Sequence, residues 1–232
     1  MTPNNNNTPT ADWSVIFDVD GTMVNNSRYH KNAWIELGHR HDIGIDEEFY
    51  MTHIHSKSNV DIAYTVFADM VGVEKGLALG EEKGAIYREM YRPDVKEMPG
   101  FTNLIKQLTA IGVQCAAASN SPKPNIDMVL EELNLAHHFK VIIDNGQVKQ
   151  GKPDPEMFLT AAKQMNTPPA RCIVVEDSIS GYLAAEAANM PYIVITAGSY
   201  IPDLKKAKKA SALHKDFTTV TIEKLKNHLT SQ

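Results

Sequence analysis

Apolar residues in this chain gather in short, nearly unbroken runs: Val15 to Phe17, Val113 to Ala118, Val141 to Ile143, Cys172 to Val175 and Tyr192 to Ile195. Runs of this kind suit strands buried on both faces, which is the situation of a parallel sheet. Between them the apolar residues recur at helical spacing. Phe101 to Ile111 places Leu104, Ile105, Leu108 and Ile111 on one face, opens after Pro99-Gly100 and stops at Gly112. Pro124 to Leu133 repeats the pattern with Ile126, Val129, Leu130 and Leu133, and Pro155 to Met165 with Phe158, Leu159, Ala162 and Met165. Ile179 to Ala188 is rich in alanine, the best helix former. Strand alternating with helix predicts an α/β fold, a Rossmann-like three-layer core around a parallel sheet.

One segment breaks the rhythm. From about Asn25 to Val95 there is no convincing buried strand, only helical patterns over Tyr29 to Leu37, Asn59 to Met70 and Gly80 to Tyr91. Arg92-Pro93-Asp94 and Met98-Pro99-Gly100 read as a return linker, since Pro and Gly punctuate elements. The expected organisation is a disordered tail over 1–10, an α/β core from 11–24 and 96–232, and a helical module over 25–95. No internal repeat is present.

Composition narrows the function classes. The 232 residues are 43% hydrophobic and 22% charged, enough for a sizeable core, and the formal net charge of -5 argues against nucleic acid as partner. The dense basic stretch Lys205 to Lys209 reads as a solvated helix face. No apolar stretch reaches the roughly 18 residues a membrane span needs. The Asn-, Thr- and Pro-rich N-terminus does not read as a signal peptide. Cys115 and Cys172 each lie inside an apolar run and read as small buried hydrophobes, so the reducing cytoplasm is the expected compartment.

Ligands of open parallel sheets bind at the carboxyl ends of the strands. After the first run comes Asp18-Val-Asp-Gly-Thr22, after the second Ser119-Asn-Ser121, after the third Gly151-Lys-Pro-Asp-Pro155, and after the fourth Glu176-Asp-Ser178. Crowding carboxylates is costly unless something neutralises them, and a divalent cation does so well. Taken singly, each motif has a plainer reading: turn residues before Gly21, a cap at Ser119 or Ser178, a surface lysine at Lys152, or carboxylates at a helix start.

Taken in order, the four motifs resemble the haloacid dehalogenase superfamily of phosphotransferases, and the resemblance covers essentially the whole chain after residue 11. It implies that Asp18 is a nucleophile forming an aspartyl phosphate, and that Asp20 is the acid/base. It implies that Ser119, with Asn120, and Lys152 bind the phosphoryl oxygens. The implied cofactor is Mg²⁺, held by the Asp18 side chain, the Asp20 backbone carbonyl and Asp177, with Glu176 as ligand or near neighbour. These roles meet the needs of phosphoryl transfer: a nucleophile, charge neutralisation and proton management at the leaving oxygen.

The helical insertion resembles the small class 1 cap of that superfamily. The stretch Asn26 to Trp34 is similar to the cap entry of the β-phosphoglucomutase-like subgroup, which places His30 near Asp20. By the same resemblance Lys57 and Lys83 reach toward substrate from the cap. Lys57 stands near where an arginine is frequent, and a lysine is a point charge rather than a bidentate fork. Asn26 replaces a threonine usual in the mutase hinge. The implied function is a phosphatase acting on a small phosphorylated metabolite, a sugar or polyol phosphate. The alternative is a β-phosphoglucomutase-type sugar phosphate mutase. A metal-free dehalogenase, a phosphonatase using Lys57 and a non-catalytic binding module fit the motifs less well. The expected state is a monomer with no nucleic-acid or membrane partner.

Overall fold

The structure is a computed structural model that describes residues 11–55, 57–196 and 212–230. The expectations for the tail over 1–10 and for the Lys205 to Lys209 cluster fall outside the described residues, as does Ser56.

The apolar runs do form strands. β1 (Ser14–Phe17), β2 (Gln114–Ala118), β3 (Val141–Ile143), β4 (Cys172–Glu176) and β5 (Tyr192–Ile195) are joined by a short β6 (Ala212–His214). They make one sheet in the order β3-β2-β1-β4-β5-β6, with every pair parallel. Alternate strand residues feed opposite faces, as the two-residue period of a strand requires. Val15 and Phe17 join Cys115, Ile173 and Val175 in one apolar layer, while Ile16 joins Ala116, Val174 and Val194 in the other. The first face is covered by α6 (Phe101–Ala110), α7 (Lys123–Glu132) and α10 (Ile222–Thr230), the second by α8 (Glu156–Gln164) and α9 (Ile179–Ala187). This is the three-layer α/β core expected from the sequence.

Between β1 and β2 all the described elements are helical, apart from isolated bridges. α1 (Ser27–Arg40) is followed by α2 (Glu47–Phe49), which runs into a wider π turn at Tyr50–Ile54. Then come α3 (Asn59–Ile62), a second π turn at Ala63–Phe67, α4 (Ala68–Val71) and the long α5 (Val73–Tyr91). The helix expected over Asn59 to Met70 is therefore interrupted by a π turn, and the one expected from Gly80 starts at Val73. The glycines at Gly76 and Gly80 weaken the helical signal there but permit close packing. A Cβ on Gly76 would lie 2.8 Å from the Phe67 Cβ, and one on Gly80 3.1 Å from the Asn59 Cβ. Outgoing and returning chains meet at an isolated bridge between Val24 and Glu97. No helix among the described residues is long and apolar enough to cross a membrane.

Candidate active site

The register brings three strand ends together. Phe17 pairs with Ala117 and with Val175, so Asp18 and Glu176 emerge level with each other and Ser119 follows one residue beyond. The turn after Asp18 is tight. Gly21 has φ +88°, and a Cβ there would lie 2.0 Å from the Asp177 Oδ2, so the backbone approaches that carboxylate as only glycine allows.

Lys152 arrives from the loop after β3. Its Nζ donates to Asp18 Oδ1 at 2.6 Å, to Glu176 Oε1 at 2.6 Å and to the Ala118 carbonyl at 2.9 Å. Burial alone would lower this ammonium's pKa, but the Asp18 and Glu176 carboxylates hold it above the ordinary lysine value. One ammonium does not balance the acids gathered here. Burial pushes the Asp18 carboxyl well up, Lys152 opposes this, and the charges of Glu176, Asp177 and Asp20 raise it further.

Oxygens of Asp18, Glu176 and Asp177 lie within 4.8 Å of one another in a buried cluster, and Asp18 Oδ2 is buried with no hydrogen-bond partner. An all-carboxylate donor set with an unused oxygen fits a hard divalent cation. Glu176 is committed elsewhere. Its Oε1 takes Lys152, and its Oε2 accepts from the amides of Asp177 at 2.8 Å and Ser178 at 2.9 Å and from the Ser178 hydroxyl at 3.0 Å. Ser178 also caps α9, accepting from the Gly181 amide at 3.1 Å.

Asp20 is surrounded by donors. Ser119 and Ser121 donate to its Oδ2 at 3.1 and 2.5 Å. Asn26 Nδ2 approaches Oδ1 at 2.5 Å and His30 Nε2 at 3.3 Å. Burial would raise its pKa, but the bonds from His30, Ser121 and Asn26 outweigh this and hold the carboxyl well below the usual range. Behind His30 stands Lys83, whose Nζ donates to His30 Nδ1 at 2.8 Å. Burial and the Lys83 ammonium push the His30 pKa down, against Asp20. This network assigns His30 as neutral with its hydrogen on Nε2, facing Asp20.

The remaining sequence candidates fall less centrally. Asn120 spends both ends of its amide on Lys152, donating to its carbonyl at 3.1 Å and accepting from its amide at 2.9 Å. Lys57 is exposed on the wall of the same cavity, a 610 Å³ space between the strand ends and the helical segment. Trp34, Tyr50, Ile54 and His55 also line it. The sequence reading did not single out Ser121, although it lies in the same short motif as Ser119. It also missed Tyr87, one turn along α5 from Lys83, whose ring stacks on His30 with centroids 4.0 Å apart.

Comparison with known proteins agrees with this geometry. The family model of haloacid dehalogenase-like hydrolases matches residues 14–189. Over 208 residues the chain is 28% identical to a validoxylamine A 7'-phosphate phosphatase of Streptomyces hygroscopicus subsp. limoneus, covering 88% of this chain and 94% of that protein. It is 39% identical over 189 residues to a bifunctional riboflavin kinase/FMN phosphatase of Arabidopsis thaliana, covering 78% of this chain but 48% of that one, about half its length. It is 28% identical over 187 residues to a beta-phosphoglucomutase of Bacillus subtilis, covering 76% and 80%. Among solved structures, a family IA, variant 3 HAD hydrolase from Entamoeba histolytica superposes with TM-score 0.85 at 26% identity, covering 94% of this chain and all 100% of that one. The chain belongs to the haloacid dehalogenase-like hydrolases. Its phosphatase relatives mark it as a phosphoric monoester hydrolase of that superfamily.

Proposed function

We propose that this protein is a Mg²⁺-dependent phosphatase of small phosphorylated metabolites, sugar or polyol phosphates, working through an aspartyl phosphate on Asp18. The observation that carries the reading is the state of Asp18. One oxygen is fixed by Lys152, and the other is buried with no hydrogen-bond partner. The site's carboxylates fit a divalent cation through Asp18, Asp177 and the Asp20 backbone carbonyl. Glu176 then serves as the anchor of Lys152. Bound there, the cation would neutralise charge on the phosphoryl oxygens.

The chain's own residues do the rest. A carboxylate oxygen of Asp18 attacks phosphorus, and the bond to the ester oxygen breaks. The leaving oxygen takes a proton from Asp20. Water then attacks the phosphoryl group, giving its proton to Asp20, and the bond to Asp18 breaks to release phosphate. Ser119 and Lys152 hold phosphoryl oxygens, while Asn120 fixes the loop that carries Lys152. In the arrangement described, Asp20 is a carboxylate. Phosphoryl oxygens that draw Ser119 and Ser121 away would strip two of its four donors and raise its affinity for the proton it must deliver. The helical segment over 25–95 acts as the cap, excluding water and contacting the leaving group with Trp34, Tyr50, Lys57 and His55.

A mutase is the second reading, favoured by one observation, the Lys83–His30–Asp20 chain that reaches the acid/base from the cap. Against it, Lys57 offers a single exposed lysine where a second phosphate needs a strong anion site. Phosphate release from a panel of sugar and polyol phosphates tests the phosphatase, with activity expected to vanish in Asp18→Asn and in excess chelator. Full turnover in either condition refutes it. β-Glucose 1-phosphate with a trace of the 1,6-bisphosphate separates the readings: free phosphate supports hydrolysis, and glucose 6-phosphate supports the mutase.

A further inference from the structure

Asn26 occupies the N-cap position of α1, with φ -119° and ψ 5°, and is fully buried. Asparagine favours this position because its side-chain oxygen accepts from first-turn amides. Here the side chain makes no capping bond. Its Nδ2 turns instead to Asp20 Oδ1 at 2.5 Å and to the Tyr87 hydroxyl at 2.7 Å, and its Oδ1 is buried with no hydrogen-bond partner. A residue serving stability would do the reverse. Capping satisfies an orphan amide, whereas a buried unpaired carbonyl is a net loss. The orientation of the amide is thus explained by the two groups on its nitrogen. Tyr87 is well placed to hold it. Its hydroxyl meets Asn26 while its ring stacks on His30 with an interplanar angle of 11°, so one rigid side chain touches both partners of Asp20 Oδ1.

We propose that Asn26 and Tyr87 form a positioning pair that aims Asp20 at the leaving-group oxygen, with Tyr87 acting through Asn26. The proposal rests on the phosphatase reading, in which Asp20 supplies the proton to that oxygen. Neither residue touches the phosphoryl group. Their effect falls on proton delivery and spares substrate binding and attack by Asp18.

Two esters separate these effects. p-Nitrophenyl phosphate has a leaving group that departs without a proton, whereas glycerol 1-phosphate releases an alkoxide that needs one. For both, kcat/KM reports the steps up to the aspartyl phosphate. Asn26→Ala is expected to lower kcat/KM for glycerol 1-phosphate about 100-fold, the low end of what general acid catalysis contributes, and to leave the aryl ester within about threefold. Tyr87→Phe keeps the ring stack and is expected to cost about tenfold on the alkyl ester, with no further loss when added to Asn26→Ala, as coupled residues behave. Asn26→Ser restores a side chain able to cap α1. It is expected to keep or raise the thermal midpoint while still losing the alkyl ester, which separates positioning from folding. Equal losses on both esters, or losses of Tyr87→Phe and Asn26→Ala that simply multiply, overturn the proposal. Wild-type protein inert on both esters overturns the phosphatase reading itself, and the proposal with it.

Discussion

Replacing Lys83 with methionine removes a buried charge and keeps most of its stem. Lys83 is 4% exposed, donates to His30 Nδ1 at 2.8 Å and lies 5.4 Å from the centre of the Trp34 ring. Burial lowers its pKa from 10.5 to about 8, and the Asp20 carboxylate on the far side of His30 opposes this. A base whose folded pKa lies below its unfolded value is penalised in its charged form. The unfolded chain then binds more protons between about pH 8 and 10.5, so stability rises with pH across that window. The penalty is fully present below about 8 and gone above 10.5. At pH 7 it amounts to about 3 kcal/mol, and by pH 9.5 it has fallen to about 1 kcal/mol.

The methionine variant lacks this penalty at every pH. The pH-independent differences, such as the packing of the side-chain stem, cancel from the slope. Urea unfolding of both proteins from pH 7 to 9.5 is the assay. Wild type is expected to gain about 2 kcal/mol relative to Lys83→Met over that range. Parallel stability curves would show that the ammonium keeps its water, and would refute the picture of a desolvated lysine behind His30.

Lys152→Met leaves Asp18 and Glu176 buried without the ammonium that bridges them at 2.6 Å on either side. Stability in chelator is expected to fall by about 3–5 kcal/mol, the cost of stranding a buried charge, and Mg²⁺ is expected to restore part of it by neutralising the same carboxylates. A variant as stable as wild type in chelator contradicts the role of Lys152 as counter-charge. Gly181→Ala places a Cβ 1.9 Å from the Glu176 Cδ, and that carboxylate is pinned by Lys152 and two amides. Overpacking is expected to cost about 1–3 kcal/mol and to slow phosphate release by loosening Lys152; unchanged denaturation and turnover would mean that Glu176 has room to move.

Asp18, Ser119 and Glu176 were readable from the chain because each adjoins a short apolar run, and sheet register does the rest. Once the runs pair in parallel, residues that end them must meet. Lys152 needed the resemblance, since nothing local says that a loop lysine will turn inward between two carboxylates. The partners of Asp20 Oδ1 were harder still. Asn26 holds the N-cap position of α1 and spends its amide elsewhere. Tyr87 reaches His30 only through the packing of α5 on α1, a contact with no local signature. The π turns at Tyr50–Ile54 and Ala63–Phe67 break helical spacing by one residue, which blurs the periodicity that would have marked the cavity wall. β6 is three residues long, too short to announce itself.

The two aspartates of the first strand end differ in what holds them. Asp18 is held from the sheet side, by a lysine that also touches the Ala118 carbonyl and Glu176. Asp20 is held from both sides. The serines after β2 take Oδ2, while Asn26 and His30, on the helices inserted after β1, take Oδ1. Because that insertion leaves the sheet directly after Asp20, its first helix begins beside the site by connectivity alone. Any displacement of the helices from the strand ends removes the Oδ1 donors and leaves the Oδ2 donors in place. In the proposed mechanism, attack by Asp18 is thus a property of the sheet edge. Proton transfer by Asp20 would depend on where the helices sit, and it is through this carboxylate that closure over a substrate would be felt in the chemistry.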